Sequence, residues 1–383
     1  MSARRLLYSC PETASCQIEG VTPRATPLRP PGLAAHATPP EAGADRRHEE
    51  IARSARPDFK RDRDRLFHSH AFLQLDRKSE LFLAPDGGAT PSRLLYATRT
   101  ASTARALAEI LRLNEDVAEA AVLARALGLP PFGRAGSEAL RAAMAAHGGF
   151  DPAAQSLRIV DALEAKYPEF NGLNLSRPVR DSLRPPGGSP ALESGVAAWA
   201  VRVTTLCLDL EGGLEARFLT EEALGETALW REVAEPVDRD YARLEAARRR
   251  GYILRNLLSL LVDRIAAHSV ATSMPAGTPA IGLDEKTAAA LGGLEALVTR
   301  AVRHAAPLED LYRERAACVA ELFAIYVHRP HLLGEAHLVR MKKEGVHRAA
   351  ADFLAHCGDG ELLRLRREIV GERRREPEQP MLL

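Results

Sequence analysis

Beyond residue 96 the chain is rich in Ala, Leu, Arg and Glu and poor in β-branched residues, with only 5% aromatics. Straight-chain residues and alanine lose little side-chain freedom in a helix, so this vocabulary commits most of the chain to α-helix. One helix can be drawn residue by residue. Asn114 is a good N-cap, and Glu115 and Asp116 complement the positive end of the dipole. Val117, Ala120, Ala121, Leu123, Ala124 and Leu127 make the buried face, Gly128 offers an exit, and Pro130-Pro131 forbids continuation. Further helices are expected around 136–147, 154–166, 191–209, 238–267, 285–303, 309–327 and 346–370. The segments 184–190 and 271–283 and the turn at Arg329-Pro330 read as loops.

The first 95 residues are punctuated differently. Residues 1–45 carry Pro23, Pro27, Pro30, Pro31, Pro39 and Pro40 among Thr, Ala and Gly, a mixture that reads as a flexible extension. Phe59, Leu66, Phe67 and Phe72 recur at helical spacing through the charged run Asp58 to Arg65, which predicts a leading helix lying on the core. Glu80-Leu81-Phe82-Leu83 and Ser92-Arg93-Leu94-Leu95-Tyr96 flank Asp86-Gly87-Gly88, so a small β-hairpin is expected near 80–96. The organisation predicted is an extension over 1–45, an all-α body over 46–371 and a flexible tail over 372–383.

With 383 residues the chain can build a large core. Its 52 basic and 51 acidic side chains leave a formal net charge of +1, which argues against a protein built to hold nucleic acid. The five cysteines (Cys10, Cys16, Cys207, Cys318 and Cys357) fit neither a disulfide framework nor a zinc ribbon, which suits a reducing cytoplasm. No apolar run approaches the ~18–20 residues that cross a bilayer.

Three segments go beyond composition. Leu127-Gly128-Leu129-Pro130-Pro131-Phe132-Gly133-Arg134-Ala135-Gly136, then Gly148-Gly149-Phe150-Asp151-Pro152-Ala153-Ala154-Gln155-Ser156-Leu157-Arg158-Ile159-Val160, then Gly172-Leu173-Asn174-Leu175 occur in order. In order and spacing they resemble blocks of the deoxyguanosinetriphosphate triphosphohydrolase family, with Leu113-Asn114-Glu115 correctly placed upstream. Leu192-Glu193 and Asp352-Phe353-Leu354-Ala355 are weaker echoes, and the resemblance covers about residues 46–370.

That resemblance implies an all-α, HD-domain-like helical bundle assembled as a ring-like oligomer. It also implies removal of intact triphosphate from a deoxynucleoside triphosphate by a metal held by a His, a His-Asp pair and a later Asp. Carried over position by position, the first His falls on Tyr96, the pair on Arg125-Ala126 and the last Asp on Val201. Further polar positions of the family fall on Leu129, Arg134, Ser137 and Pro152-Ala153. The Arg pair expected after Phe72 reads Leu73-Gln74, while Lys78 matches a family lysine. A site without imidazole or carboxylate has no ordinary means of holding a divalent transition metal. Without the metal, a water keeps a pKa near ~15.7 instead of ~7.

The expectation is a catalytically degenerate family member without catalytic residues, metal or other cofactor. It would act as an oligomeric scaffold, as a partner of an active relative, or as a nucleotide sensor. The alternative is an active triphosphohydrolase with a relocated metal site. Candidate phosphate contacts are Lys78, Arg93, Arg125 and Arg134. For Arg125 the plainer reading, a cap on the C-terminus of its own helix that snorkels to water, is preferred, and Arg134 could equally serve only a loop-to-helix junction. Tyr96 is read as a core-edge aromatic. His68, His70, His328 and His331 read as solvated or capping side chains, and the arginine clusters at 248–250 and 364–367 as solvated faces.

Overall fold

The computed structural model describes residues 32–50, 56–79, 91–184, 191–272 and 280–373. Among the described residues every extended regular element is a helix, and the single β-type contact is an isolated bridge between Ser79 and Ser92. The N-terminal half supplies α1 (Asp58–Phe67), α2 (His70–Gln74), α3 (Arg93–Ile110), α4 (Glu115–Ala126), α5 (Gly133–Ala143), α6 (Pro152–Arg158) and α7 (Arg177–Asp181). Then come α8 (Leu192–Glu215), α9 (Glu221–Gly225), α10 (Ala228–Asp240), α11 (Ala246–Thr272) and α12 (Glu285–Val298). The last four are α13 (Ala306–His328), α14 (Glu335–Glu344), α15 (Val346–His356) and α16 (Asp359–Arg373).

α4 is the hub. Asn114 caps it, its Oδ1 accepting the Val117 N–H at 3.3 Å, and every residue from Val117 to Ala124 is buried. A helix buried on all sides must be surrounded, and α1, α3 and α8 surround it. Leu107, Leu123, Leu127, Val196 and Leu210 belong to this main core. A second core joins α5 to α13 and α15 through Phe132, Leu140, Met144, Leu322 and Leu354. The backbone of residues 129–136 makes that switch between cores. Phe132 and Gly133 both adopt left-handed backbone angles (φ 57° and 53°), and Gly136 lies against the Pro131 carbonyl.

The hairpin expectation fails at its second strand. Residues 93–96 form the first turn of α3, because Ser92 caps that helix and turns the chain out of extended geometry. The proposed partner, Glu80–Leu83, lies outside the described residues. Residues 32–45, read as part of a flexible extension, are packed onto the body. Thr38 gives its N–H and its hydroxyl to the two oxygens of Glu193 at 2.9 and 2.7 Å, and Glu193 Oε1 also takes the Asn114 N–H at 3.0 Å. Residues 1–31 lie outside the described residues.

The helix expected over 238–267 is two helices, with a break before α11. Glu245 caps the second one, its carboxylate accepting the N–H groups of Ala247 and Arg248. The stretch 346–370 divides at Cys357–Gly358, where Gly358 is pressed against Arg77.

Candidate functional site

The positions matched by resemblance lie on α3, α4, α5, α6 and α8 and in the turn after α4. Arg125 and Ala126 end α4. Ser156 Oγ binds there twice, accepting the Gly128 N–H and donating to the Arg125 carbonyl, both at 2.9 Å. Pro152 opens α6 beside them, behind its cap Asp151. Arg125 Nη2 donates to the Ser182 carbonyl at 2.5 Å, at the C-terminal end of α7. It therefore caps a helix, though not its own. Burial lowers the affinity of its guanidinium for its proton, opposed by the charge of Asp151.

Tyr96 is buried on α3, with the Arg93 guanidinium 5.8 Å from its ring centre. Leu129 offers its carbonyl to the Lys78 ammonium at 2.8 Å, and Ala355 does the same at 2.7 Å. Burial, with Arg93 adding to it, lowers the Lys78 pKa to about 8 against the pull of Cys357, Asp359 and Glu361. Arg134 and Ser137 lie on α5. Arg134 pairs with Glu138 at 2.7 Å and lies over Tyr312, while Ser137 Oγ donates to the Gly133 carbonyl. Val201 lines a cavity of about 360 Å³ with Arg202, Asp209, Glu295 and Arg303.

The structure brings together a second set of residues along the seam between the two cores. His70 Nδ1 lies 2.8 Å from His356 Nε2, joining α2 to the end of α15. These two histidines, with His68, His337, Lys166 and Arg340, line a cavity of about 480 Å³. Burial lowers the His356 pKa to about 3, reinforced by the positive charges of Lys78, His70, His337 and Arg340. His70 was read in the sequence as a solvated or capping side chain. Its partner lies 286 positions away, and no local periodicity announces such a pair. Among the described residues there is no group of three or more His, Cys, Asp or Glu side chains that could hold a metal ion.

A fold that is helical throughout its described residues, with a Gly-Leu-Pro-Pro-Phe turn leading from its hub helix into a second core, defines a recognisable class. The chain is 32% identical over 345 residues to a deoxyguanosinetriphosphate triphosphohydrolase-like protein of Geobacter sulfurreducens, covering 82% of this chain and 89% of that one. The namesake in Bordetella pertussis is 32% identical over 370 residues, with 88% and 96% covered. That in Thiobacillus denitrificans is 30% identical over 368 residues, with 88% and 97% covered. No family model matches the chain. The protein belongs to the deoxyguanosinetriphosphate triphosphohydrolase-like family. No helix among the described residues is long and apolar enough to cross a membrane.

Proposed function

We propose that this protein is a catalytically silent member of its family, working by association with other chains, copies of itself or an active relative, in a reducing cytoplasm. The observation that carries this reading is the donor set at the matched positions. Tyr96, Arg125, Ala126 and Val201 stand where the resemblance implies His, a His-Asp pair and Asp. These residues do not fit a divalent ion: two are hydrocarbon, one is a buried phenol and one is a fixed cation. A dication brought near the Arg125 guanidinium in this half-buried place would be repelled, not held.

The candidate phosphate contacts point the same way. Lys78 is engaged by two carbonyls, Arg125 by Ser182 and Arg134 by Glu138. A phosphate at the matched positions would have to compete with the Glu138 carboxylate for Arg134 and reach a buried Lys78, which favours association over nucleotide sensing there. Arg93 would have to leave the Tyr96 ring.

The test is turnover. Purified protein incubated with each of the four deoxynucleoside triphosphates and Mn²⁺ or Mg²⁺ is expected to release no triphosphate above a protein-free control. Steady release of triphosphate establishes the alternative, an active enzyme with a relocated metal site. Sedimentation of the protein alone and mixed with an active relative reports the association, and a monomer in both samples removes it.

A further inference from the structure

The seam cavity runs from a buried floor to an open rim. Gln155 (1% exposed), Asp352 and Glu164 form the floor, His337, Arg340 and His356 a half-buried wall, and His68, His70 and Lys166 an exposed rim. The two acids are already committed. Glu164 accepts the main-chain N–H groups of His70 and Ala71, and Asp352 accepts from the Arg158 guanidinium at 2.6 and 3.2 Å. The cations are anchored but not used up. Arg340 Nη2 donates to the Leu163 carbonyl at 2.9 Å, and Lys166 Nζ to that of His68. A guanidinium carries five N–H donors and an ammonium three, so each retains several.

The floor holds an unmet demand. Gln155 Nε2 donates to Asp352 Oδ1 at 3.1 Å, which fixes the amide orientation, since the reverse would set oxygen against carboxylate. Gln155 Oε1 is then buried and accepts no hydrogen bond from the protein. A buried acceptor without a donor is costly, and a hydroxyl from a ligand removes the cost.

The geometry points to a binding site for a small sugar phosphate. Its phosphate would lie among Arg340, Lys166 and the His70–His356 pair, and a hydroxyl would donate to Gln155 Oε1. The volume, about 480 Å³, falls within the ~300–1,000 Å³ of small-ligand pockets. Guanidinium and imidazole donors suit a phosphate, which takes charge-assisted hydrogen bonds from several directions. A neutral polyol would use the floor alone and inorganic phosphate the wall and rim alone. The site adjoins the matched positions, with Leu73 among its lining residues, and its test does not depend on whether those are catalytic.

Calorimetric titration of the full chain with ribose 5-phosphate, inorganic phosphate and ribose tests this assignment. Ribose 5-phosphate is expected to bind once per chain, about tenfold tighter than inorganic phosphate, and ribose not at all. Lys166→Ala and Arg340→Gln should each weaken both phosphate ligands about tenfold. Gln155→Leu should erase only the advantage of ribose 5-phosphate over phosphate. Lys166→Ala alters an exposed side chain, so its result stands even if a substitution at the floor unfolds the protein. No saturable heat up to about 10 mM, or affinities that Lys166→Ala and Arg340→Gln both leave unchanged, overturns the assignment. Triphosphate release from a deoxynucleotide would overturn the proposed silence of the matched positions and leave this site untouched.

Discussion

The ammonium of Lys78, 2% exposed, lies 2.7 Å from the carbonyl oxygen of Ala355, 277 positions along the chain. With its second bond, to Leu129, it pins the main core to the second one. Ser79 and Phe132 reinforce the same place by donating to the Asp359 carboxylate.

Replacing Lys78 with Met leaves two buried carbonyls without donors, and is expected to lower unfolding stability by about 2 kcal/mol in urea titrations. The pH dependence gives a second readout. The folded-state pKa of Lys78 is depressed to about 8, so between that value and its ordinary one the unfolded chain holds more protons. The contribution of Lys78 to stability therefore grows as pH rises through this window. The difference in Tm between the natural protein and Lys78→Met should widen from pH 8 to pH 10, and a constant difference would refute the assignment.

His356 behaves in the same sense, in a more acidic window. Its folded-state pKa is pushed to about 3, chiefly by burial, so the unfolded chain takes up a proton first as the solution is acidified. Stability from this residue is complete above its ordinary pKa and is lost as pH falls from there toward 3. Thermal melts between pH 7 and pH 4 should show a shallower acid loss in His356→Gln than in the natural protein.

Asp62 is fully buried, and Arg46 Nη1 bonds its Oδ1 at 2.5 Å while Ser176 N–H bonds its other oxygen at 3.1 Å. Arg46 also donates to the Asn174 and Asp58 carbonyls. Truncating one member of a buried pair strands the other, so Arg46→Ala should cost about 3–5 kcal/mol by denaturant unfolding. A loss below about 1 kcal/mol would mean that water reaches the carboxylate.

Gly136 has no room for a side chain. A Cβ there would collide with the Pro131 carbonyl, which is backbone and cannot swing aside. Gly136→Ala is expected to cost about 3 kcal/mol or more and to lower the yield of folded protein, read by circular dichroism and melting temperature.

Local signals account for what was legible in the sequence. Asn114 announces α4 because an N-cap acts within three residues, and Phe59 and Leu66 mark α1 through their spacing. Contacts made across the chain were invisible. Thr38 is ordered by Glu193, 155 positions away, so a proline-rich segment that looks unstructured is held down. Ser92 opens the segment read as a strand, yet its side chain caps α3. The matched positions were legible as residue types, yet their uses were not: Arg125 caps α7, and Lys78 turns to carbonyls. The His70–His356 pair had no local pattern to betray it.

The loan of α5 to the second core has a consequence for dissecting the molecule. Phe132, Leu140 and Met144 come from the first half of the chain, yet they are walled in by residues contributed after position 318. No single cut separates the protein into two self-sufficient pieces. A fragment ending before α13 would present those three side chains bare to water and clump, and one beginning at α13 would fold around a missing wall. Only when both fragments are present together should either become soluble and compact.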